Sequence, residues 1–178
     1  MSDRLIELRF ENQNLKKQVE DLESKVLSLV GMVDLESSGG PDKKNLLNNL
    51  LIELIASTTT QLNIVSPKID KFYATELKKL ANQEIPVLII TNDRRGLPKV
   101  YQEIYDGLKQ TGGISIINNP NVRYLLVFNS EKAIYSGGSL DKDELEKSIL
   151  IVTSIQESTK LRTIAEIFTM MLPSFMRK

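Results

Sequence analysis

A hairpin pattern followed by a glycine-containing turn stands in residues 121–141, NVRYLLVFNSEKAIYSGGSLD. Two apolar runs, RYLLVF (123–128) and KAIYS (132–136), flank a polar turn that begins at Asn129, which predicts two antiparallel strands. Glycine in such a turn permits close approach of the backbone to a ligand. The second predicted strand leads into four small residues, Ser136, Gly137, Gly138 and Ser139.

Helix and strand patterns alternate on both sides of this hairpin. The run PVLIIT (86–91) is almost continuously apolar, as is typical of a parallel strand covered on both faces. This alternation predicts an α/β domain over residues 43–178, with a mixed sheet sandwiched between helices. Further strands are predicted at QLNIVS (61–66), ISII (114–117) and SILIVTS (148–154), and a terminal helix over 157–172.

The first 34 residues repeat apolar side chains at alternating spacings of three and four, which is a heptad pattern. Leu at every d position and mostly β-branched residues at a favour two parallel helices. Asn12 is the polar exception, and a lone buried Asn at an a position disfavours other registers and oligomeric states. We therefore predict a parallel coiled-coil helix over residues 1–34 that forms a homodimer through Leu5, Leu8, Asn12, Leu15, Val19, Leu22, Val26, Leu29 and Val33.

Two other interpretations of the heptads exist. The helix could pack its apolar stripe on its own domain, although four Leu at strict seven-residue spacing exceed what such packing requires. It could also be the zipper of a DNA-binding protein, but only MSDR precedes Leu5, where a basic helix would be needed. The sequence ESSGGPDKK (36–44) cannot continue a helix through Gly-Gly-Pro, so residues 35–42 are predicted to be a linker.

The composition excludes several classes of function. The 23 basic and 23 acidic residues balance, so no net charge attracts nucleic acid or a membrane surface. The chain has no Cys and no His, which removes thiolate chemistry, the commonest metal ligand and the usual general base. No apolar run reaches the roughly 20 residues that span a bilayer, and the charged N-terminus is unlike a secretory signal. We expect a cytoplasmic protein without metal or cofactor.

Ligands tend to bind beyond the carboxyl ends of the parallel strands of an α/β sheet, where Lys68, Arg94 and Arg95 are predicted to lie. Arg123, with Asn121 and the turn at 136–139, could form a pocket for a phosphate or carboxylate. Arg94 and Arg95 could bind an anion or a nucleic acid backbone. The alternatives are an edge-strand arginine beside a flexible turn, and a solvated loop. Met170, Met171 and Phe175 could form a docking surface, but core packing by the terminal helix is the favoured interpretation.

Residues from about 43 to 175 resemble a single phospholipase D-type repeat. The resemblance rests on IVSPKID, LIITNDRRG, the hairpin with SGGS, and AEIFTMML. It implies a motif of His-x-Lys, then Asp, then Gly-Ser-x-Asn, in which His attacks phosphorus while Lys and Asn hold phosphate oxygens. Two such motifs share one active site. Here Asn121 and Arg123, or Val122 and Tyr124, replace His and Lys; Phe128 or Asn129 replaces Asp, and Asp141 lies close to the Asn position.

Because the chain contains no His, the resemblance implies the fold without the reaction, a degenerate phospholipase D-like domain. The order of modules is also similar to archaeal TrmB-type regulators lacking their winged helix-turn-helix. Three function classes remain: a non-catalytic dimeric regulatory or scaffold protein that binds a protein partner or a small anion, a nuclease without His, and a nucleic acid-binding accessory protein. The first is favoured. The third would use Arg94, Arg95, Arg123, Lys68 and Lys71.

Overall fold

The computed structural model describes residues 2–29 and 32–177. Helices and strands alternate along the chain, which confirms the predicted α/β class. The helices are α1 (Ser2–Leu29), α2 (Leu46–Ser57), α3 (Lys71–Asn82), α4 (Lys99–Lys109), α5 (Lys142–Lys147) and α6 (Ser158–Met170). The strands are β1 (Val33–Ser38), β2 (Leu62–Val65), β3 (Val87–Thr91), β4 (Ile114–Asn118), β5 (Leu125–Phe128), β6 (Ala133–Ser136) and β7 (Leu150–Ile155).

The seven strands form one mixed sheet in the order β1-β7-β6-β5-β2-β3-β4. Strands β2, β3 and β4 are parallel, whereas the pairs β2–β5, β5–β6, β6–β7 and β7–β1 are antiparallel. The predicted hairpin is therefore confirmed as β5–β6, with Leu125 opposite Ser136. Because β6 runs parallel to β2, the strands β2, β3, β4 and β6 all end at the same edge of the sheet.

Alternate strand residues divide between two apolar cores, one on each face of the sheet. On one face, Ile64 and Ile89 are fully buried beneath α2 to α5, together with Leu51 and Tyr73. On the other face, α6 covers the central strands, and Phe168 packs edge-to-face on Phe128 with ring centroids 5.2 Å apart. The sheet thus lies between helices, as predicted.

The predicted linker at 35–42 is wrong in its first four residues, because they belong to β1. Helix α1 ends at Leu29, and Val33 pairs with Ile155 of β7 instead of closing the coiled-coil series. Ser38 is buried and accepts a hydrogen bond from the backbone N–H of Leu47, which fixes the start of α2. Gly39 follows at φ +101°, where a Cβ would overlap the carbonyl oxygen of Ser148. The segment is a packed corner and not a free hinge.

The strand predicted at 148–154 is confirmed as β7, but only one of its faces is buried. Val152 is buried, but the side chain of Ile151 on the opposite face is 68% exposed, away from the end of β7 where Ile155 packs against the core beneath α6. The prediction that the terminal helix packs Met170 and Phe175 into the core is wrong, because these side chains are 65% and 84% exposed.

Helix α1 does not bury its apolar stripe on its own domain. The five apolar heptad residues within α1 whose side chains are described are each more than half exposed: Leu8, Leu15, Val19, Leu22 and Val26. Asn12 is exposed with them, and the side chains of Leu5 and Leu29 lie outside the described part of the chain. The first alternative interpretation, packing on the same domain, does not fit these exposures. Within residues 2–29 and 32–177, no helix has the length and apolar character to cross a membrane.

Candidate functional site

The carboxyl ends of β2 and β6 are joined to each other at one edge of the sheet. Ser66, which is fully buried after β2, accepts a hydrogen bond from the backbone N–H of Leu140 (2.8 Å) and donates one to the carbonyl of Lys68 (2.6 Å). The backbone N–H of Asp70 donates to the carbonyl of Leu140 (2.9 Å). The two segments therefore close over the edge at which α/β sheets usually bind ligands.

Four side chains at this edge form a network that we call the Lys68 cluster: Lys68, Tyr101, Asp141 and Glu144. The ammonium of Lys68 lies 2.8 Å from Glu144 Oε2, 3.3 Å from Asp141 Oδ2 and 3.3 Å from the Tyr101 hydroxyl. Tyr101 donates a short hydrogen bond of 2.5 Å to the same Asp141 oxygen. The other oxygen, Asp141 Oδ1, accepts from the backbone N–H of Glu144 (3.1 Å) and so caps α5.

The protonation states at this edge follow from the same contacts. Burial alone would raise the pKa of Asp141, but hydrogen bonds from Tyr101 and the Glu144 backbone, with the charge of Lys68, bring that pKa below its ordinary value. Burial also opposes the charge of Lys68, yet its contacts with Glu144 and Tyr101 give it a raised pKa. The hydrogen bond to Asp141 raises the pKa of Tyr101. At neutral pH the cluster is an ion pair with a protonated phenol.

Nearby Asp70 holds the beginnings of two helices. Its side chain accepts from the backbone N–H of Tyr73 (2.8 Å) in α3 and from that of Lys142 (2.8 Å) in α5. Burial raises the pKa of Asp70, although both hydrogen bonds oppose this shift.

The contacts of Arg123 do not support the predicted anion pocket. Its guanidinium donates to the carbonyls of Pro120 and Val122, both at 2.9 Å, within its own loop. Asn121 is exposed, and its backbone N–H donates to the side chain of Asn119. In the part of the chain that the structure describes, no hydrogen bond joins Arg123 to residues 136–139. The grouping of these residues in one pocket stays a prediction without a contact in its favour.

The turn at 136–139 packs against the rest of the domain. Ser136 is buried and donates to the carbonyl of Ile151 (2.9 Å). Gly138 has φ +82°, and a Cβ there would lie 3.2 Å from Leu145 of α5, so glycine is needed for both reasons. Gly137 is exposed and Ser139 is buried. The turn is therefore neither an open cradle nor a flexible loop.

The two predicted arginines after β3 are both paired with carboxylates. Arg94 makes a two-pronged contact with Asp106, with both N···O distances 2.6 Å, and also contacts Gln102. Arg95 lies 3.3 Å from Asp93, but 89% of its side chain is exposed. Of these two, Arg95 is the one that remains accessible to a ligand.

The positions that resemble the phospholipase D motif take part in packing and in turn formation. Val122 is 3% exposed in the core beneath α6, and the hydroxyl of Tyr124 contacts Met171 Sδ at 3.4 Å. Asn129 is buried, accepts from the backbone N–H groups of two turn residues, and donates to Thr58 Oγ1 (3.1 Å). Neither register of the motif contains a histidine.

Replacing Lys68 by Met is expected to lower the free energy of unfolding by about 1–3 kcal/mol, because two partly buried carboxylates lose their cation. Urea unfolding at pH 7 measures this change. Lys79→Met is the matched control, since Lys79 also pairs with a carboxylate, Glu76, but its side chain is 63% exposed. An exposed pair contributes about 1 kcal/mol or less.

The effect of Lys68→Met should depend on pH in a defined direction. Because the pKa of Asp141 is depressed in the folded state, its contribution is complete above about pH 4 and is lost as the pH falls through the folded pKa. The difference between wild type and Lys68→Met should therefore shrink below about pH 4. Equal losses in Lys68→Met and Lys79→Met at pH 7 would contradict a structural role for the cluster.

Similarity to known proteins is confined to three-dimensional structure. No family model matches the chain, and no curated protein matches it. NucT from Helicobacter pylori superposes with a TM-score of 0.66 at 14% identity, over 78% of this chain and 95% of that one. Nuc from Salmonella typhimurium, a phospholipase D family member, gives 0.65 at 12% identity, over 76% and 91%.

A third solved structure matches a larger share of the chain. TrmBL2, an archaeal chromatin protein whose structure shows a novel mode of DNA binding, superposes with a TM-score of 0.56 at 14% identity. That match covers 95% of this chain and 65% of TrmBL2. At these identities the likenesses establish the fold alone. The predicted phospholipase D-like fold is confirmed.

Proposed function

We propose that the protein is a non-catalytic, dimeric regulatory or scaffold protein whose degenerate phospholipase D-like domain binds a protein partner or a small anionic ligand. The observation that carries this proposal is the set of contacts made by the residues at the motif positions. In one register of the motif, Val122 packs in a core and Tyr124 contacts a methionine at the His and Lys positions. In the other register, Asn121 is exposed and Arg123 donates to carbonyls of its own loop. The edge beside them is closed by the Lys68 cluster instead of being open to a phosphate.

The available side chains favour binding over phosphodiester chemistry. An Asn amide at 121 cannot replace the nucleophile, because its nitrogen lone pair is delocalised. Tyr101 is the nearest alternative nucleophile, but its hydroxyl donates a hydrogen bond to Asp141 and its pKa is raised. Among the described residues, no group of His, Cys, Asp and Glu has the arrangement to hold a metal ion. Lys68, which could otherwise hold a phosphate oxygen, is engaged by two carboxylates.

Dimerisation is the second element of the proposal. Five apolar heptad residues on α1 are exposed in the single chain and line one face, including a shallow groove at Val19, Leu22 and Val26. Pairing with the same stripe of a second chain removes this apolar surface from water. A parallel coiled coil would hold two α/β domains at the same end and present two copies of each binding surface.

A hydrolysis assay on the full chain tests the non-catalytic part. We expect no turnover of bis(4-nitrophenyl) phosphate or of single-stranded DNA that depends on this protein. Turnover that disappears in Tyr101→Phe or Lys68→Met would contradict the proposal, because a contaminating enzyme would not respond to those substitutions. Arg95→Gln is the control, since Arg95 is exposed and lies outside the cluster.

Nucleic acid binding is the second candidate function. It is favoured by the superposition on TrmBL2, a DNA-binding chromatin protein, which covers 95% of this chain. Exposed cations at Lys71, Arg95 and Arg123 could contact phosphates, although the net charge of zero gives no long-range attraction.

Fluorescence anisotropy with duplex DNA at two salt concentrations separates the two candidates. The regulatory or scaffold proposal predicts no salt-dependent binding. Binding that weakens with salt, and weakens further in a Lys71→Gln, Arg95→Gln and Arg123→Gln variant, would favour the second candidate.

A further inference from the structure

One face of the sheet is apolar and uncovered at the end formed by β6, β7 and β1. Leu35, Tyr135 and Ile151 are 71%, 46% and 68% exposed there, and Val33 is 42% exposed. With Ile167 of α6, which is 45% exposed, these residues form what we call the apolar sheet patch. Contiguous exposed apolar surface of this kind marks an interaction site more often than scattered single residues do.

The strand register places the patch on a single face. Leu35 and Tyr135 both lie opposite Thr153, one on each side of β7. Ile134, next to Tyr135, and Val152, next to Thr153, point to the other face, where they are buried in the core beneath α2 to α5. The β1, β6 and β7 residues on the patch face are all uncharged: Val33, Leu35, Ser37, Ala133, Tyr135, Ile151, Thr153 and Ile155.

Helix α6 borders the patch and does not cover it. Met171 contacts Tyr124, whose ring centroid lies 5.7 Å from that of Tyr135. Ile167 precedes Met171 by four residues, so it lies on the same flank of the helix, towards β6. The patch therefore extends from the flank of α6 across three strands to the open edge of β1.

We propose that the apolar sheet patch binds the same patch of a second copy of this chain, so that the sheets of the two protomers face each other in the dimer. This inference rests on the dimer proposed above and adds a second contact surface to it. A self-complementary patch of this kind forms an isologous contact across a twofold axis.

Chain connectivity argues for a second copy as the occupant. Val33, in the patch, follows Leu29, the last residue of α1, by only four positions. Four residues span at most about 14 Å, and the axes of paired helices are about 8–10 Å apart. The two patches of a parallel dimer thus start close to the shared axis, where an effective concentration in the millimolar range favours their contact.

Other occupants fit the patch less well. An uncharged surface offers no ion pair to a phosphate or to a nucleic acid. Helix α1 of the same chain does not lie on it, because the apolar stripe of α1 is itself exposed. A second copy of the chain fits the patch better, since it brings an equally apolar and uncharged surface.

Thiol accessibility in the full chain tests this proposal, because the sequence contains no Cys and a single introduced thiol is the sole reporter. In Leu35→Cys, alkylation should be about tenfold slower than in the same variant combined with Leu15→Asp and Leu22→Asp, which separate the chains. Val100→Cys, 67% exposed on α4, is the control and should react at the same rate in both backgrounds. Val19→Cys reports independently on the pairing of α1.

The outcomes separate this inference from the dimer itself. Fast alkylation at position 35 with protection at position 19 would overturn the patch contact and leave the dimer standing. Equal protection at position 35 in dimer and monomer would also overturn it, since the patch would then be covered within one chain. Fast alkylation at both position 35 and position 19 would contradict the dimer and, with it, the patch contact.

Discussion

The double substitution Leu15→Asp and Leu22→Asp is expected to convert the full chain to a monomer. Both leucines occupy d positions and are 56% and 59% exposed in the single chain, so their burial depends on a partner helix. Burying a leucine contributes about 1.5–3 kcal/mol, and four leucines are affected in a dimer. The loss of about 6 kcal/mol or more raises the Kd by at least about four orders of magnitude. Sedimentation velocity across a concentration series measures this change.

Phe10→Asp is the matched control for this prediction. Phe10 is as apolar and 67% exposed, but it lies at an f position on the outer side of the heptad pattern. Its replacement should leave the dimer intact, whereas a general loss of apolar surface would affect both variants. Phe10→Asp should also leave the unfolding of the α/β domain unchanged, because α1 does not pack on that domain. A double variant that remains dimeric would contradict pairing through α1.

Placing His at position 122 is expected to destabilise the domain strongly without creating a phosphodiesterase. Val122 is 3% exposed in the core that also contains Leu126 and Phe168, so an imidazole there would be larger and would lack a polar partner. Such a change costs about 2–4 kcal/mol. No phosphate-binding lysine accompanies it, since Lys68 is paired with Asp141 and Glu144. Urea unfolding and the bis(4-nitrophenyl) phosphate assay measure the two effects.

Asn121→His provides the comparison at the neighbouring position of the other register. Asn121 is exposed, so this variant should unfold like the wild type. It should also remain inactive, because one imidazole without a bound phosphate has no reaction to perform. Hydrolysis by a stably folded Val122→His protein would contradict the assignment of position 122 to the core.

Local sequence patterns predicted most strands and helices of the α/β domain, but not β1 or α5. The runs PVLIIT and RYLLVF are apolar and bounded by polar or turn residues, so their strands could be located directly. Four of the six residues in the β1 sequence VDLESS are polar, and its first residue continues the heptad spacing of α1. Its partner β7 lies more than 100 residues further along the chain, and such long-range pairing leaves no local signal.

The Lys68 cluster was missed for the same reason. It joins three separate segments, at Lys68, at Tyr101 and at residues 141–144, and no local pattern brings them together. In the sequence, Asp141 is marked only by its place close to the Asn position of the motif. One local signal was present, because Asp141 followed by Glu144 has the spacing of a helix-capping pair. That pattern predicts α5, and with it an Asp141 side chain directed at the helix start.

The mass of the full chain in solution, measured by light scattering at micromolar concentration, tests the proposed dimer most directly. The account predicts a particle of twice the chain mass of 20.1 kDa. A particle with the mass of a single chain would contradict it.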